Sequence, residues 1–442
     1  LGHDQGPAPL YLRENPDQEQ SALENGDECT EPAKACTIEI SSDPTQFWAA
    51  DPEGSKAIYT VEEGPSADDL FEFDVEEEEE TQIAGGTLGV VGASEDLGRI
   101  YFVSTEALTG EAEAGQYNLY LYEAGEEGEE GAFAFIAALA ESDVKVGSKF
   151  NPMAVLQVNP MRRAARVSPD GRSLAFTSSA SLTGYDNTDA ESGEADAEVF
   201  HFSAETGELA CVSCNPTGAR PRGREFEINR IPRGFWAAAQ IPTWENQLYA
   251  PRALSEDGSR LFFESFEALV PRDSNGRQDV YEWEQAGSEA GCKSLGAELF
   301  VQSAGGCLSL ISSGESPVDS EFVDANPNGR DVFFKTASSL LPQDPGLVDI
   351  YDAREGGGLP TPSAPPSPCE GEACQSPPAP PNDPTPGSSS YQGEEKIEEP
   401  KKPKPRCPKG KRSVHRNGKT RCVAKHPRHH KRHSEHGRGA GR

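Results

Sequence analysis

Histidine is nearly missing from most of this 442-residue chain: of eight, only His3 and His201 precede residue 401. A Ser/His/acid triad would therefore have to recruit His201, and the sequence places that residue in a strand copy whose counterparts are Leu, Glu or Asp, facing solvent. No Gly-x-Ser-x-Gly elbow occurs, since "GASED" at 92–96 lacks the second Gly, and neither His-Glu-x-x-His nor Gly-x-Gly-x-x-Gly is found. The "GKT" at 418–420 has Ser413 where a phosphate loop needs Gly. No apolar run approaches the roughly 18–20 residues that span a bilayer. No signal-like segment and no initiator Met stand at Leu1, which reads as a processed or truncated start.

Positive charge is scarce too, except at one end. Residues 401–442 hold 16 Lys+Arg against one acid, Glu435, leaving 24 Lys+Arg and 73 Asp+Glu in residues 1–400. The body thus carries −49 and the tail +15. So acidic a body repels nucleic acid and anionic lipid, whose affinity comes largely from Lys and Arg neutralising phosphates. The expectation is no specific nucleic-acid partner. Only the tail can hold polyanions.

What the chain does have is repetition. "SEDLGRIYFVSTEAL" at 94–108 returns as "SEDGSRLFFESFEAL" at 255–269, with further copies "SPDGRSLAFTSSASL" at 168–182, "NPNGRDVFFKTASSL" at 326–340 and a short "DPEGSKAIYTV" at 51–61. Each opens on a tight turn, where Pro presets φ, Asp or Asn caps, and Gly takes φ > 0. An alternating β-branched and aromatic strand follows. A second strand also recurs: "DLFEF" at 69–73, "NLYLY" at 118–122, "EVFHF" at 198–202, "DVYEW" at 279–283 and "DIYDA" at 349–353, with "PLYLR" at 9–13 as a sixth copy. "ACTIEIS" at 35–41, "LACVS" at 209–213 and "GCLSLIS" at 306–312 supply a closing strand, and runs such as "RAARV" at 163–167 and "LYAPRAL" at 248–254 an innermost one. Four-stranded units in series are propeller blades.

The "SPDGRSLAF … EVFHF … TGELACVS" pattern resembles the WD40-like repeat of TolB-type β-propellers over residues 9–353. The Glu/Ala/Gly-rich style with a basic Cys-containing tail is similar to uncharacterised exported propeller proteins of high-GC actinobacteria. The expected fold is all-β: a propeller of about six four-stranded blades in residues 1–356, a disordered Pro-rich linker at 357–400 and a basic tail at 401–442. The ends look complementary, with outer strands at 9–41 and inner strands at 322–353. Either the first blade is split between them, or a longer N-terminus completes it. A propeller by itself fixes no activity.

The ten cysteines fall into local pairs, Cys29/Cys36, Cys211/Cys214, Cys292/Cys307, Cys369/Cys374 and Cys407/Cys422, which suits disulfides in an oxidising compartment. The expected location is extracellular or envelope-associated. "CVSC" at 211–214 precedes turn residues rather than a helix, against a redox dithiol, and has no second pair for zinc.

Two stretches carry candidate sites. Acidic loops offer oxygens for calcium at Asp273, Asn275 and Asp279, or at Asp186, Asp189 and Asp344; turn capping is the plainer reading. No other cofactor is expected. The insertion 215–251 places five Arg, with Arg222 and Arg224 among them, beside Phe235, Trp236 and Trp244. Arg and exposed aromatics concentrate at interfaces, and Trp stacks on sugars, so a protein or carbohydrate partner is expected unless the Trp residues only pack. The tail, with six His and an Asn-Gly turn between Cys407 and Cys422, suits anionic cell-wall polymers or lipid headgroups, or the protein's own acidic body. The functional expectation is a monomeric, non-catalytic exported scaffold that binds a ligand or partner and is tethered by its tail. The alternative is a hydrolase or lyase with an acidic, calcium-dependent site.

Overall fold

A computed structural model describes residues 8–24, 28–31, 33–62, 68–125, 129–144, 154–157, 162–228, 231–243, 250–287, 299–341, 344, 346–358, 409, 411–416 and 419–424. The chain divides into two compact units, Leu1–Pro362 and Ser363–Arg442. Among the described residues the first unit is a series of five larger, mainly antiparallel sheets, and a short helix, α1 (Glu141–Val144), follows the second.

The first sheet runs in the order β1 (Ala8–Glu14), β4 (Cys36–Ala50), β5 (Lys56–Val61), β6 (Leu70–Asp74), β7 (Glu79–Ala84). A small ladder of β2 (Leu23–Glu24) and β3 (Glu28–Cys29) fills the loop after β1. The second sheet holds β8 (Thr87–Ala93), β9 (Arg99–Ser104), β10 (Tyr117–Glu123) and β11 (Ala132–Leu139) as a meander. The third contains β12 (Ala165–Val167), β13 (Ser173–Ser178), β14 (Asp196–Ser203) and β15 (Glu208–Cys211), extended by a hairpin of β16 (Arg224–Ile228) and β17 (Ile231–Ala237). The fourth holds β18 (Ala239–Gln240), β19 (Arg260–Ser265), β20 (Asp279–Gln285), β21 (Leu299–Val301) and β22 (Gly306–Leu310). The fifth has three strands, β23 (Glu321–Ala325), β24 (Asp331–Thr336) and β25 (Asp349–Arg354).

The repeat seen in the sequence is a repeat in space. In every sheet the two central strands set an aromatic pair directly opposite: Tyr59 and Phe71, Phe102 and Tyr120, Phe176 and Phe200, Phe263 and Tyr281, Phe334 and Tyr351. Their ring centroids lie 5.6–6.1 Å apart. Such cross-strand pairs contribute about 0.2–1 kcal/mol each. Strands β13, β14 and β19 are buried along their whole length. Alternate side chains point to opposite faces, so both faces of the third and fourth sheets are covered. One apolar cluster joins Tyr101 and Leu119 of the second sheet to Phe176 and Phe200 of the third. Another joins Phe263 and Tyr281 of the fourth to Phe322 and Phe334 of the fifth.

The turns do the stacking. Ser94, Ser168 and Ser255 each donate to an Asp two residues on at 2.6 Å, and accept from the N–H five residues on. Successive turns then touch. Glu95 N–H donates to the Pro169 carbonyl at 2.8 Å, and Glu256 N–H to the Pro327 carbonyl at 2.9 Å. Three of the turn-glycine carbonyls also receive a side chain of the preceding sheet: Tyr101 at Gly171, His201 at Gly258 and Arg260 at Gly329.

Two details differ from the sequence expectation. The strand from "PLYLR" lies in the first sheet: β1 pairs with the first half of the 15-residue β4, and β5 with the second half. Pro44, which has no N–H to donate, sits at the handover, next to Thr45, which opposes both Ala8 and Val61. Among the described residues no strand from the chain start joins β25, so the expected closure through a blade split between the chain ends is not made there. The innermost strand of the fourth sheet is also interrupted. β18 faces one half of β19, and a bridge from Leu254 to Leu261 faces the other.

Cys29–Cys36 and Cys211–Cys214 are disulfides, and Cys307 and Cys422 are also disulfide-bonded. Cys292, Cys369, Cys374 and Cys407 lie outside the described residues, as does nearly all of the Pro-rich stretch. In the second unit, β26 (Lys411–Arg416) and β27 (Lys419–Ala424) form the hairpin expected around Asn-Gly. Among the described residues no helix is long and apolar enough to cross a membrane.

Candidate ligand-binding site

The unusual insertion becomes part of the third sheet. β17 pairs in parallel with the start of β14, putting Trp236 opposite Asp196. This brings Trp236 to a cavity of about 620 Å³, together with Arg222, Arg224, Asp189, Phe266 and Glu267. Small-molecule sites fall within roughly 300–1,000 Å³ and combine aromatic walls with a few polar groups. Trp236 and Phe235 also line a smaller neighbouring cavity of about 170 Å³.

Three of the five interface residues read from the sequence thus share one wall. Arg222 is exposed and pairs with Glu191 at 3.2 Å. Arg224 pairs with Asp319 at 3.1 Å, donates to the Gly276 carbonyl at 2.7 Å and lies over the Phe266 ring at 5.0 Å. Phe235 is half-buried and packs against Ala197 and Ala237, the plain packing role. Trp244 lies outside the described residues.

Four carboxylates gather beside and behind this cavity. Gly223 N–H is shared by Asp189 Oδ2 and Asp196 Oδ2, at 3.0 Å from each. Asp189 Oδ1 accepts the Ser192 and Glu191 N–H groups, and such bonds hold its carboxyl below the usual range despite burial. Burial, then the charge of Asp189, pushes Asp196 up to about 7. Burial drives Glu198 well above its ordinary value, although Ser213 Oγ donates to it at 2.5 Å. Burial also pushes Glu267 up to about 7, against the opposing pull of Asn215, which donates at 2.7 Å. Among the described residues no ion pair reaches Asp196, Glu198 or Glu267.

The calcium trio expected from sequence is held in internal hydrogen bonds except at Asp273 Oδ1, which is buried without a hydrogen-bond partner. Asn275 donates to Asp279 Oδ2 at 2.7 Å and its own oxygen accepts the Arg277 N–H. Ser312 Oγ donates to Asp279 Oδ1, and Tyr281 O–H to Asp273 Oδ2, each at 2.5 Å. Asp186 forms an ion pair with Arg220 at 3.6 Å. Glu198 lies within ligand distance of Cys211 and Cys214, but those sulphurs are spent on each other.

His201 corrects the sequence reading. It is 3% exposed, its ring 4.6 Å from that of Trp283. It sits at the seam between the third and fourth sheets, where both strand faces are covered. Burial holds it down to about 4, only partly offset by its bond to the Gly258 carbonyl. Asp196, Glu198 and Glu267 were missed as a group. The one sequence signal for the first two is Asp-Ala-Glu at the head of a core strand, which sets two acids on the same face as Phe200 and Phe202.

No family model and no curated protein matches the chain. Among solved structures, the tricorn protease is similar over 76% of this chain and 28% of its own length, with TM-score 0.37 and 9% identity. An oligogalacturonate lyase in complex with manganese is similar over 79% and 72%, with TM-score 0.33 and 11% identity. The Swd1 β-propeller domain of Myceliophteria thermophila is similar over 73% of each chain, with TM-score 0.28 and 8% identity. These likenesses concern the fold. By its own recurrent sheets and their repeated aromatic register, the chain is a propeller-type repeat protein.

Proposed function

We propose that this chain is a non-catalytic, exported propeller that binds a polyhydroxylated ligand of the saccharide class in the Trp236 cavity. One observation carries the reading: Trp236, Phe266, Arg222, Arg224, Asp189 and Glu267, drawn from different sheets and loops, converge on one space of about 620 Å³. Aromatic faces take the C–H side of a sugar ring. Asp189 and Glu267 accept from hydroxyls, and Arg222 donates. The disulfides and the cationic tail support an oxidising, envelope-associated setting, with the tail as the tether. Binding of a panel of oligosaccharides by isothermal titration, with wild type and Trp236→Ala, tests it. The variant should bind at least ~10-fold more weakly, about 1.4 kcal/mol. A wild type that binds no member of the panel, or a variant that binds equally well, overturns the proposal.

The second reading is a hydrolase or lyase. Its support is the pair Asp196 and Glu267, which hold their protons near neutral pH, where a general acid works best. Product formation from the bound saccharide, lost in Glu267→Gln, would favour it over the scaffold.

A further inference from the structure

We propose that Cys211–Cys214 is a reactive disulfide that exchanges with thiols, with Glu198 as the buried acid that gives and takes the proton. The starting point is one cluster: a carboxylate oxygen of Glu198 and both cysteine sulphurs lie within 4.8 Å of one another, a span that one bridging water covers. Among the described residues no other acid or His stands so close to a pair of sulphurs. Glu198 is wholly buried, and its Oε1 has no hydrogen-bond partner. Native proteins pair nearly all such atoms, and an exception calls for an explanation, a redox role among them. Reduction creates thiol donors beside this carboxyl.

Each group has a part in the exchange. Cys211 ends β15 and is 4% exposed, whereas Cys214, in the loop after it, is only half-buried. A partner thiolate therefore attacks Cys214 Sγ, the S–S bond breaks, and its electron pair stays on Cys211 Sγ. No helix N-terminus follows to stabilise that leaving thiolate. The Cys214 N–H, which donates to Cys211 Sγ at 3.1 Å, stands in for one. Glu198 then passes its proton to Cys211. Burial holds that proton well above the ordinary carboxylate range, although Ser213 Oγ donates to Glu198 Oε2. A second partner thiolate attacks the partner sulphur of the mixed disulfide, and Cys214 leaves. The two protons shed by the partner thiols end on Cys214 Sγ and Glu198, restoring the acid. One protein disulfide and two thiols thus give one protein dithiol and one partner disulfide, so the co-reactant is a thiol.

The sister sheets separate this arrangement from what the fold itself needs. Asp279 occupies the Glu198 position of the fourth sheet, and Ser312 there does what Ser213 does here, bonding the acid and the next N–H. Both Asp279 oxygens are partnered, however, by Ser312 and Asn275, and Leu310 stands opposite Tyr281 where Cys211 stands opposite Phe200. The first sheet supplies an internal control. In its disulfide Cys36 is 5% exposed and Cys29 half-buried, the same pattern as Cys211 and Cys214. Among the described residues no acid or His lies within 4.8 Å of both of those sulphurs.

The exchange uses the chain's own disulfide and does not rest on the saccharide reading, so either can fail while the other stands. The test treats the native, full chain with dithiothreitol at neutral pH, alkylates at intervals and counts modified cysteines by peptide mass spectrometry. In wild type Cys211–Cys214 should open at least ~10-fold faster than Cys29–Cys36, since stabilisation of the leaving thiol sets the rate between disulfides of like exposure. Glu198→Gln still accepts from Ser213 but has no proton to give. It should slow the opening of Cys211–Cys214 at least ~10-fold, against the ~10²–10⁴-fold that a positioned acid supplies, and leave Cys29–Cys36 unchanged. With oxidised glutathione, Cys211→Ser should form a mixed disulfide at Cys214 at least ~10-fold faster than Cys214→Ser forms one at Cys211. Equal opening of the two disulfides in wild type would overturn the proposal, whether or not the Glu198 variant folds. So would an unchanged rate in Glu198→Gln, or faster reaction at Cys211 than at Cys214.

Discussion

Burial reverses the ordinary ionisation of several single side chains, and their signs oppose one another. Glu264 is 6% exposed, and burial pushes it up to about 7 although Gln240 and the Phe322 N–H donate to it. An acid raised in the folded state binds its proton more tightly folded than unfolded. Stability is therefore lost as pH climbs from the unfolded value near 4 towards 7. His201 behaves conversely. The unfolded chain protonates it near 6.5 while the folded chain resists until about 4, so stability is lost as pH falls through that window. Relative to wild type, Glu264→Gln should gain stability as pH rises from about 4 to 7, and His201→Phe as pH falls from about 6.5 to 4. Urea midpoints of the three proteins across this range measure both. A flat difference for either variant would mean that its residue is solvated in the folded protein. The sequence offered no hint of this for His201, because one residue in a repeated strand does not reveal which neighbouring sheet lies against it.

At the scale of the element, the repeated turn was the most legible feature and the hairpin β16–β17 the least. The turn closes through bonds between residues two to five apart, so its letters carry its geometry. What they do not carry is its fit against the preceding sheet. Gly258 adopts φ +69° and has Ser173 Oγ 2.1 Å from where a Cβ would stand, whereas Gly54, at φ +73°, has nothing within 4 Å. Gly54→Ala should cost only the left-handed penalty, about 1–2 kcal/mol. Gly258→Ala should cost a further ~1–3 kcal/mol for overpacking. Equal losses in urea unfolding would show that the turns do not interlock. The hairpin escaped the sequence reading for a related reason. β17 joins β14 in parallel across some 40 positions, and no local periodicity encodes that partner. Arg222, Arg224 and Trp236 could be singled out by residue type, but the burial of Asp196 and Glu198 and the approach of Glu267 to them depend on that pairing and on the sheet seam.

For the whole molecule, charge separates the C-terminal tail from the body, and the fifth sheet shows what stacking does for the others. β24 alternates between buried residues and partly or fully exposed ones, and Phe333, Leu347, Val348 and Ile350 near β25 are exposed. Among the described residues, the third and fourth sheets, with neighbours on both sides, expose no such row. Removing residues 401–442 deletes +15 of charge. It should abolish retention on anionic cell-wall polymer or anionic vesicles at low salt, where such attraction is least screened; unchanged retention in a sedimentation assay would refute the tether. By itself the sequence determined the repeating sheet, its turns and the segregation of charge, because each depends on contacts within a few residues or on composition alone. Tertiary structure alone decided which sheet each terminal strand joins, that His201 is buried, and that Asp189 and Glu267 line one cavity with Trp236. Those outcomes depend on which surfaces are pressed together, and desolvation acts only after the sheets have stacked.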